Sequence, residues 1–215
     1  MVGVPRVPDP PAPLDLAVEV WPAGTEIVRV HSLARPPSAF NAAPGLARLR
    51  PVSGPTGAVV ATLYGGEAVE AAFAETVFHD LVPGARRSLP FARIEQRAVS
   101  WFQLTRDLRV AQLHGFGLLR AGVKASELTD TPPRAYARTA LWGQAIHDHP
   151  ERVDGIAWMS RQFNSQRALL LWGDRVSEAD VGFQSGSTLS LFMGAGLELV
   201  SDVALRAGIV RIDRP

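Results

Sequence analysis

Short apolar runs typical of β-strands recur along this chain without a regular alternation with helical segments. A doubly wound parallel sheet needs a steady strand–helix alternation, so the observed order favours a fold in which both element types are mixed. We therefore predict a single domain of the α+β class. The strands are predicted at Thr25–His31, Ala58–Tyr64, Ala98–Leu104, Leu108–Gln112, Gly155–Ser160 and Ala168–Trp172.

Helical periodicity is clearest after Gly65-Gly66, which we interpret as a turn that closes the strand before it. Apolar residues then recur every four positions, which predicts a helix over Glu67–Leu81 that Pro83-Gly84 ends. A second helix is predicted at Arg138–His147 and a short one near Leu118. The C-terminal third is rich in apolar residues and glycine, and its pattern leaves the order of its elements open.

Proline marks two segments that we do not expect to form regular structure. Residues 1–13 are rich in proline, which predicts an extended and poorly ordered arm. We place this arm at residues 1–24 and the folded domain at residues 25–215. The segment Ala34–Gly57 is rich in proline and glycine and is predicted to be a long loop, a kind of segment that is often functional.

The composition excludes several classes of protein. Formal net charge is +1, from 22 basic and 21 acidic residues, which argues against a nucleic-acid backbone or an anionic membrane as the main partner. The chain has no cysteine, so disulfide scaffolds, thiolate metal sites and cysteine nucleophiles are excluded. No apolar stretch approaches the ~20 residues of a membrane-spanning helix, and the N-terminus lacks the pattern of a secretory signal. We expect a cytoplasmic protein.

The common nucleotide and metal motifs are also absent. There is no Walker-type lysine loop, and Gly115–Arg120 lacks the third glycine of a dinucleotide fingerprint. The histidine pair in His147-Asp148-His149 lies at the end of a predicted helix, where histidine more often caps the helix than binds zinc. We therefore expect neither a metal nor a cofactor.

Three polar residues stand at positions that the fold alone does not explain. Glu75 lies in the middle of the predicted helix among alanines, so that another element or a ligand can approach its carboxylate closely. Tyr64 ends an apolar strand, and Arg48 lies in the long loop. Each also has a plain alternative: a solvated glutamate, an ordinary strand tyrosine and a surface charge.

Taken together with their surroundings, these residues resemble the RES-domain family, whose members are toxins of RES–Xre type II toxin–antitoxin pairs. The resemblance covers about Thr25 to Trp172, and its motifs are loose one by one but moderately specific in their order. In chain order they are Val28-Arg29-Val30, Phe40-Asn41, Arg48-Leu49-Arg50-Pro51, the strand end at Tyr64, Ala72-Phe73-Ala74-Glu75-Thr76 and Gly155-Ile156-Ala157-Trp158-Met159-Ser160-Arg161.

The resemblance implies a mixed sheet with flanking helices, similar to ADP-ribosyltransferases, and an enzyme that degrades NAD as a glycohydrolase or phosphorylase. It implies that Arg48, Tyr64, Glu75 and Ser160 are catalytic. Substrate binding is implied for Arg29, Arg48 and Tyr64. NAD then enters as a substrate, with inorganic phosphate as a possible second one.

The chain departs from the family pattern in two ways. Its loop between Arg48 and Tyr64 is longer than usual, and Leu49 replaces the aromatic residue that commonly follows the arginine. These departures leave two candidates for the clamping arginine: Arg48, which the motif match selects, and Arg50 as the alternative.

Elementary chemistry agrees with this activity. Nicotinamide leaves the ribose of NAD as a neutral ring, so the difficulty is the positive charge that develops on the sugar, as in glycoside hydrolysis. A fixed carboxylate such as Glu75 stabilises that charge, and arginine grips a diphosphate with paired hydrogen bonds.

A toxin implies a blocking partner, here an Xre-like antitoxin in a hetero-oligomer, with no direct contact to nucleic acid or membrane. Two other functions stay open. One is transfer of ADP-ribose to a protein. The other is a non-catalytic module that binds an acidic partner through its loop arginines and Arg86-Arg87.

Overall fold

The computed structural model describes residues 6–43, 45–79 and 88–213 of the chain and confirms the α+β class. Most predicted strands are present within a few residues of the predicted bounds. The strands are β1 (Val18–Trp21), β2 (Glu26–Ser32), β3 (Thr62–Gly66), β4 (Ser88–Pro90), β5 (Arg97–Leu104), β6 (Leu108–Leu113), β7 (Gly155–Met159), β8 (Arg167–Trp172), β9 (Val181–Ser190) and β10 (Arg211–Asp213). The helices are α1 (Val69–Ala74), α2 (Phe116–Arg120), α3 (Tyr136–His147) and α4 (Gly194–Arg206).

Within the described residues, eight strands form one mixed sheet in the order β1-β6-β7-β8-β3-β2-β5-β9. The pair β6–β7 is parallel and the other neighbours run antiparallel. β10 and β4 form a separate parallel pair. The C-terminal elements β9, α4 and β10 are the ones whose order the sequence pattern left open.

Apolar residues cover both faces of the sheet because successive side chains of a strand point to opposite sides. In β2, Val28 and Val30 pack with Phe73 of α1 and Val200 of α4. Ile27, the residue before Val28, belongs to a different apolar cluster on the other face. Full burial of such side chains stabilises the fold by roughly 1.5–3 kcal/mol each, and the cluster with Val28 and Val30 holds α1 and α4 against one face of the sheet.

The sheet opens between β2 and β3. Their register consists of one pair, Val28 opposite Gly66. Farther from this pair, the backbone of Thr62 exchanges hydrogen bonds with Asn41 of the long loop, at 2.8 and 3.0 Å, instead of with β2. The two strands therefore diverge, and the space between them is available for polar side chains.

From residue 6 onward, the N-terminal segment does not extend away from the domain, which corrects the extended arm that we expected for residues 1–13. Val7 and Leu16 are buried in the core, and Trp142 Nε1 of α3 donates a hydrogen bond to the carbonyl oxygen of Pro8 at 2.8 Å. β1 then pairs with β6 in the main sheet. The apolar residues between the prolines are buried against α3. The free energy gained by this burial orders a segment that its proline-rich composition predicts to be poorly ordered.

Gly65-Gly66 is not a turn but the end of β3, which corrects the prediction. A Cβ on Gly65 would lie 3.2 Å from the Val28 carbonyl oxygen, and one on Gly66 would lie 3.0 Å from Ala71 Cβ. The glycines thus permit close contact with β2 and α1. The strand also begins later than predicted, because Val60 bonds locally to Val52 in the loop.

Helix α1 is shorter than the predicted helix over Glu67–Leu81. It ends at Ala74, and Glu75 is its C-cap residue instead of lying in the middle. The amide of Phe78 donates to the carbonyl of Phe73, which departs from helical bonding and lets both Val77 and Phe78 enter the core. Leu81 and Pro83-Gly84 lie outside the described residues.

Helix α3 approaches the long loop very closely at Gly143. A Cβ on Gly143 would lie 2.1 Å from the carbonyl oxygen of Leu49. Leu49 itself is fully buried and has a φ of 62°, in the left-handed region that non-glycine residues rarely adopt. The close contact therefore fixes the backbone on either side of Leu49.

Among the described residues, every helix is too short or too polar to cross a lipid bilayer.

We expect Gly143→Ala to lower the free energy of unfolding by about 1–3 kcal/mol, because the added methyl group overlaps the Leu49 carbonyl. Urea denaturation of the purified protein measures the change. Gly45→Ala is the matched control, since a Cβ there meets no atom within 4 Å. Equal stability of the two variants would show that the contact between α3 and the loop is looser than described.

Candidate active site

A cavity of about 600 Å³ lies where β2 and β3 diverge. Val30 and Ser32 line it from β2, and Thr62 and Tyr64 line it from β3. The end of α1, the long loop and the start of α3 complete its walls. Five residues that the sequence singled out line this cavity: Arg29, Arg48, Arg50, Tyr64 and Glu75.

Arg48 is positioned by the tight loop that Leu49 and Gly143 fix. The Tyr64 hydroxyl donates a hydrogen bond to the Arg48 carbonyl oxygen at 2.6 Å. The guanidinium is 3% exposed, and its Nη1 donates to the carbonyl oxygens of Thr129 and Thr131. Within the described part of the chain, Nε and Nη2 of Arg48 have no hydrogen-bond partner. A buried arginine with two such donors has the chemistry to bind an anionic group.

Glu75 faces Arg48 from the end of α1. Its Oε1 accepts hydrogen bonds from Ser160 Oγ at 2.9 Å and from the backbone amide of Arg161 at 3.1 Å. Its Oε2 lies 3.9 Å from Nε of Arg48, an ion pair that is too long for a hydrogen bond. The side chain of Glu75 is 11% exposed. Ser160 and Arg161 thus hold Oε1 by hydrogen bonds, while Oε2 has, among the described residues, the longer contact with Arg48.

Ser160 reaches Glu75 because β7 ends immediately before it. Ser160 is fully buried, and its backbone amide donates to the carbonyl oxygen of Gln166 at 3.0 Å, which closes the turn between β7 and β8. Arg161 Nη2 donates to the carbonyl oxygen of His79 at 2.8 Å, which ties the same turn to the segment after Glu75. The structure therefore brings together Arg48, Tyr64, Glu75 and Ser160, the four residues for which the resemblance implies catalysis.

Tyr64 forms one wall of the cavity. Its ring packs edge-to-face against Trp158, with the ring centroids 6.2 Å apart. Burial raises the pKa of the Tyr64 phenol well above its usual value, so the hydroxyl stays protonated and remains a donor to Arg48. A neutral, fixed aromatic ring suits contact with a flat or cationic ligand group.

Arg29 lines the cavity but is engaged with the loop. Its Nη1 and Nη2 donate to the carbonyl oxygens of Pro37 and Ala39, at 2.7 and 2.9 Å. Burial lowers its pKa to about 10, and the group is still protonated at neutral pH. These bonds shape the segment after β2. A role of Arg29 in substrate binding stays a prediction.

Arg50 lies on the other side of Leu49 and is also buried, with 5% exposure. Its Nη2 donates to the carbonyl oxygen of Ala43, and among the described residues its Nε has no partner. Arg48 is the arginine that forms the ion pair with Glu75. Both arginines line the cavity, so the contact with Glu75 favours Arg48 as the clamp.

The described part of the cavity wall is strongly cationic. Glu75 is the carboxylate in this lining, and arginine side chains are much more numerous. In a cleft with walls of low dielectric constant, an excess of fixed positive charge raises the local concentration of anionic ligands. The lining arginines are Arg29, Arg35, Arg48, Arg50, Arg93 and Arg97.

His31 lines the cavity as a neutral imidazole. Its Nδ1 lies 3.0 Å from the carbonyl oxygen of Ser32, so Nδ1 carries the proton. Its Nε2 then accepts a hydrogen bond from Ser100 Oγ at 2.8 Å. Burial lowers the pKa of His31, which favours this neutral form.

Tyr136 and His79 are cavity residues that the sequence analysis did not identify. They belong to α3 and to the segment after α1, and their side chains meet at 2.7 Å between the Tyr136 hydroxyl and His79 Nε2. No local motif marks this contact, because it depends on how two distant segments pack. Arg86-Arg87 of the binding-module hypothesis lies outside the described residues.

Metal binding finds no support in the residues that the structure describes, where no group of three or more histidines and carboxylates lies close enough to hold an ion. His147, the last residue of α3, instead pairs through Nε2 with Asp174 at 2.9 Å and through Nδ1 with Asp148 at 3.2 Å. The cluster therefore tethers the end of the helix.

Comparison with known proteins gives a family and a fold. The RES domain model matches residues 21–191 of the chain. The crystal structure of the M. tuberculosis MbcT–MbcA toxin–antitoxin complex contains a similar fold, with a TM-score of 0.59 and 12% sequence identity, covering 85% of this chain and 92% of that one. A comparison with curated proteins gives no match.

We expect Ser160→Ala to lower the free energy of unfolding by about 1.5–3 kcal/mol, because the buried Glu75 carboxylate loses a charge-assisted hydrogen bond. Chemical denaturation measures this loss. Ser201→Ala is the control: its hydroxyl bonds to Leu197 on the exposed side of α4, and the expected change is within about 0.5 kcal/mol. A Ser160 variant as stable as the control would contradict the described contact.

Proposed function

The chain belongs to the RES domain family, and from this membership and the geometry of its cavity we propose that it is the toxin of a toxin–antitoxin pair that depletes NAD. The reaction is cleavage of the bond between nicotinamide and ribose. The observation that carries the proposal is the buried carboxylate of Glu75 opposite the partly unsatisfied guanidinium of Arg48 in one cavity.

Glu75 has the position and the charge that this cleavage requires. When the C1′–N bond of NAD breaks, its electron pair goes to the pyridine nitrogen, and C1′ becomes positively charged. Oε2 of Glu75 stabilises that charge, while Ser160 and the amide of Arg161 hold Oε1 in place. Because these partners are already fixed, little reorganisation accompanies the reaction.

The arginine-lined cavity suits the diphosphate of NAD. Nε and Nη2 of Arg48 offer two donors on one planar group, which matches the two-pronged way in which arginine binds phosphate. The lining arginines come from β2, the long loop and β5, among other segments, so the charged middle of a dinucleotide in this cavity is surrounded by guanidinium groups.

Tyr64 orients the substrate, and Ser160 orients the carboxylate of Glu75. The Tyr64 ring forms the wall beside Arg48, where a nicotinamide or ribose ring can pack against it. Ser160 does not line the cavity and acts through Glu75, so we assign it a positioning role.

A nucleophile completes the reaction at C1′. Attack by water gives ADP-ribose and releases a proton, and attack by inorganic phosphate gives ADP-ribose 1-phosphate. The proposal requires no cofactor, since NAD is consumed as substrate.

We also propose an antitoxin partner of the Xre-like type, in a hetero-oligomer with this chain. Support comes from the structure with a similar fold, which is that of a toxin bound to its antitoxin. A protein that consumes NAD needs such control in the cell that makes it.

Glu75→Gln is expected to lower the rate of NAD consumption by roughly 10²–10³, because the amide keeps the shape of the side chain but loses its negative charge. The measurement is the loss of NAD and the identity of the products, by chromatography, with and without phosphate. Glu70→Gln is the matched control: Glu70 lies on the same helix and pairs with Arg206 on the outside.

The products decide among the alternatives. Free ADP-ribose indicates hydrolysis, and its 1-phosphate indicates phosphorolysis. Label from NAD on a protein band would replace the proposal with ADP-ribose transfer. If the wild-type protein leaves NAD intact with and without phosphate, and in the presence of cell extract, the proposed activity is wrong.

A further inference from the structure

Tyr136 is a buried residue of the cavity wall for which the proposed reaction has no role. It begins α3 and is 7% exposed. Its ring centroid lies 5.5 Å from the guanidinium carbon of Arg48, within the range of a cation–π contact. Its hydroxyl meets His79 Nε2 at 2.7 Å. Tyr136 thus contacts both Arg48 and the segment that follows Glu75.

The residue after Arg48 does not supply this ring. Leu49 stands where the resemblance leads us to expect an aromatic residue, and its side chain is fully buried in the apolar core with Trp142. Leu49 is not part of the cavity wall. In this chain the aromatic contact of Arg48 therefore comes from α3.

The Arg48 guanidinium needs such a contact to hold one orientation. Carbonyl oxygens bind it at Nη1, whereas Nε and Nη2 have no hydrogen-bond partner among the described residues. A ring against one face of the planar group restricts its rotation and partly balances its charge without occupying a donor. The two donors consequently remain available to an anion.

The hydroxyl of Tyr136 connects this arrangement to Glu75. Its partner His79 accepts a hydrogen bond at its carbonyl oxygen from Arg161 Nη2, at 2.8 Å. The amide of Arg161 in turn donates to Glu75 Oε1. A continuous set of contacts therefore runs from the ring over Arg48 to the carboxylate opposite it.

We propose that Tyr136 is a positioning residue that holds the Arg48 guanidinium for the anionic part of the substrate. The inference rests on the proposed function of Arg48 and Glu75. The Tyr136 ring restricts the orientation of the guanidinium, and the Tyr136 hydroxyl anchors the ring through His79.

A kinetic test separates the effect of the Tyr136 ring from that of the Tyr136 hydroxyl. Tyr136→Leu removes the ring and is expected to raise KM for NAD about tenfold, with kcat within about threefold, because the lost contact aids substrate binding as much as the transition state. Tyr136→Phe keeps the ring and is expected to stay within about threefold of wild type in KM. Leu141→Ala, an exposed position on the same helix, is the control for general effects on α3.

A stability test does not depend on NAD cleavage. In a double-mutant cycle of Arg48→Gln and Tyr136→Leu, the loss of Tm in the double variant is expected to be at least ~2 °C smaller than the sum of the single losses. Additive losses would overturn the contact even if NAD is consumed. If the losses are not additive but NAD is left intact, the positioning contact stands and the proposed function fails. Unchanged KM in a folded Tyr136→Leu variant would overturn the positioning role alone.

Discussion

The site depends on how the protein holds one buried carboxylate. Glu75 is 11% exposed, and a carboxylate removed from water is costly unless hydrogen bonds and opposite charge replace its hydration. Ser160 and the amide of Arg161 replace it at Oε1, and Arg48 supplies the opposite charge at a distance of 3.9 Å. Three separate segments must therefore meet: the end of α1, the turn after β7 and the loop that carries Arg48. The divergence of β2 and β3 leaves the room in which they do so.

The divergence of β2 and β3 makes room for polar side chains within the sheet. Paired strands in a sheet with two apolar faces leave no gap for polar side chains, because adjacent strands lie only ~4.8 Å apart and apolar groups cover both faces. Here the loop residue Asn41 takes over the pairing of Thr62, so the backbone of β3 stays satisfied while β2 moves away. Polar side chains can then enter the sheet from above and below the gap, and the apolar clusters on either side remain intact.

The sequence was sufficient for the parts that depend on local pattern. Strands such as β2 and β5 and the helix α3 follow from periodicity, whereas the grouping of Arg48, Tyr64, Glu75 and Ser160 follows from the resemblance to the RES-domain family. Features that depend on long-range packing could not be predicted from the sequence. The helix that carries Glu75 ends early because Val77 and Phe78 both enter the core, and the proline-rich N-terminus is held by contacts with α3. Tyr136 escaped notice for the same reason, since its partner Arg48 lies in a distant segment.

The unsatisfied donors of Arg48 are the strongest physical argument for a ligand. Leaving a buried donor without a partner costs about 1–3 kcal/mol, a large fraction of the 5–15 kcal/mol by which a domain is stable. A purely structural arginine would be expected to satisfy Nε and Nη2, as Arg29 satisfies its terminal nitrogens with loop carbonyls. Glu75 does not do so, because Ser160 and Arg161 hold its carboxylate too far from Nε for a hydrogen bond. Among the described residues, the contacts that fix the carboxylate thus leave Nε and Nη2 of Arg48 without partners, and an anionic group bound at these donors would recover the free energy that the folded protein forgoes.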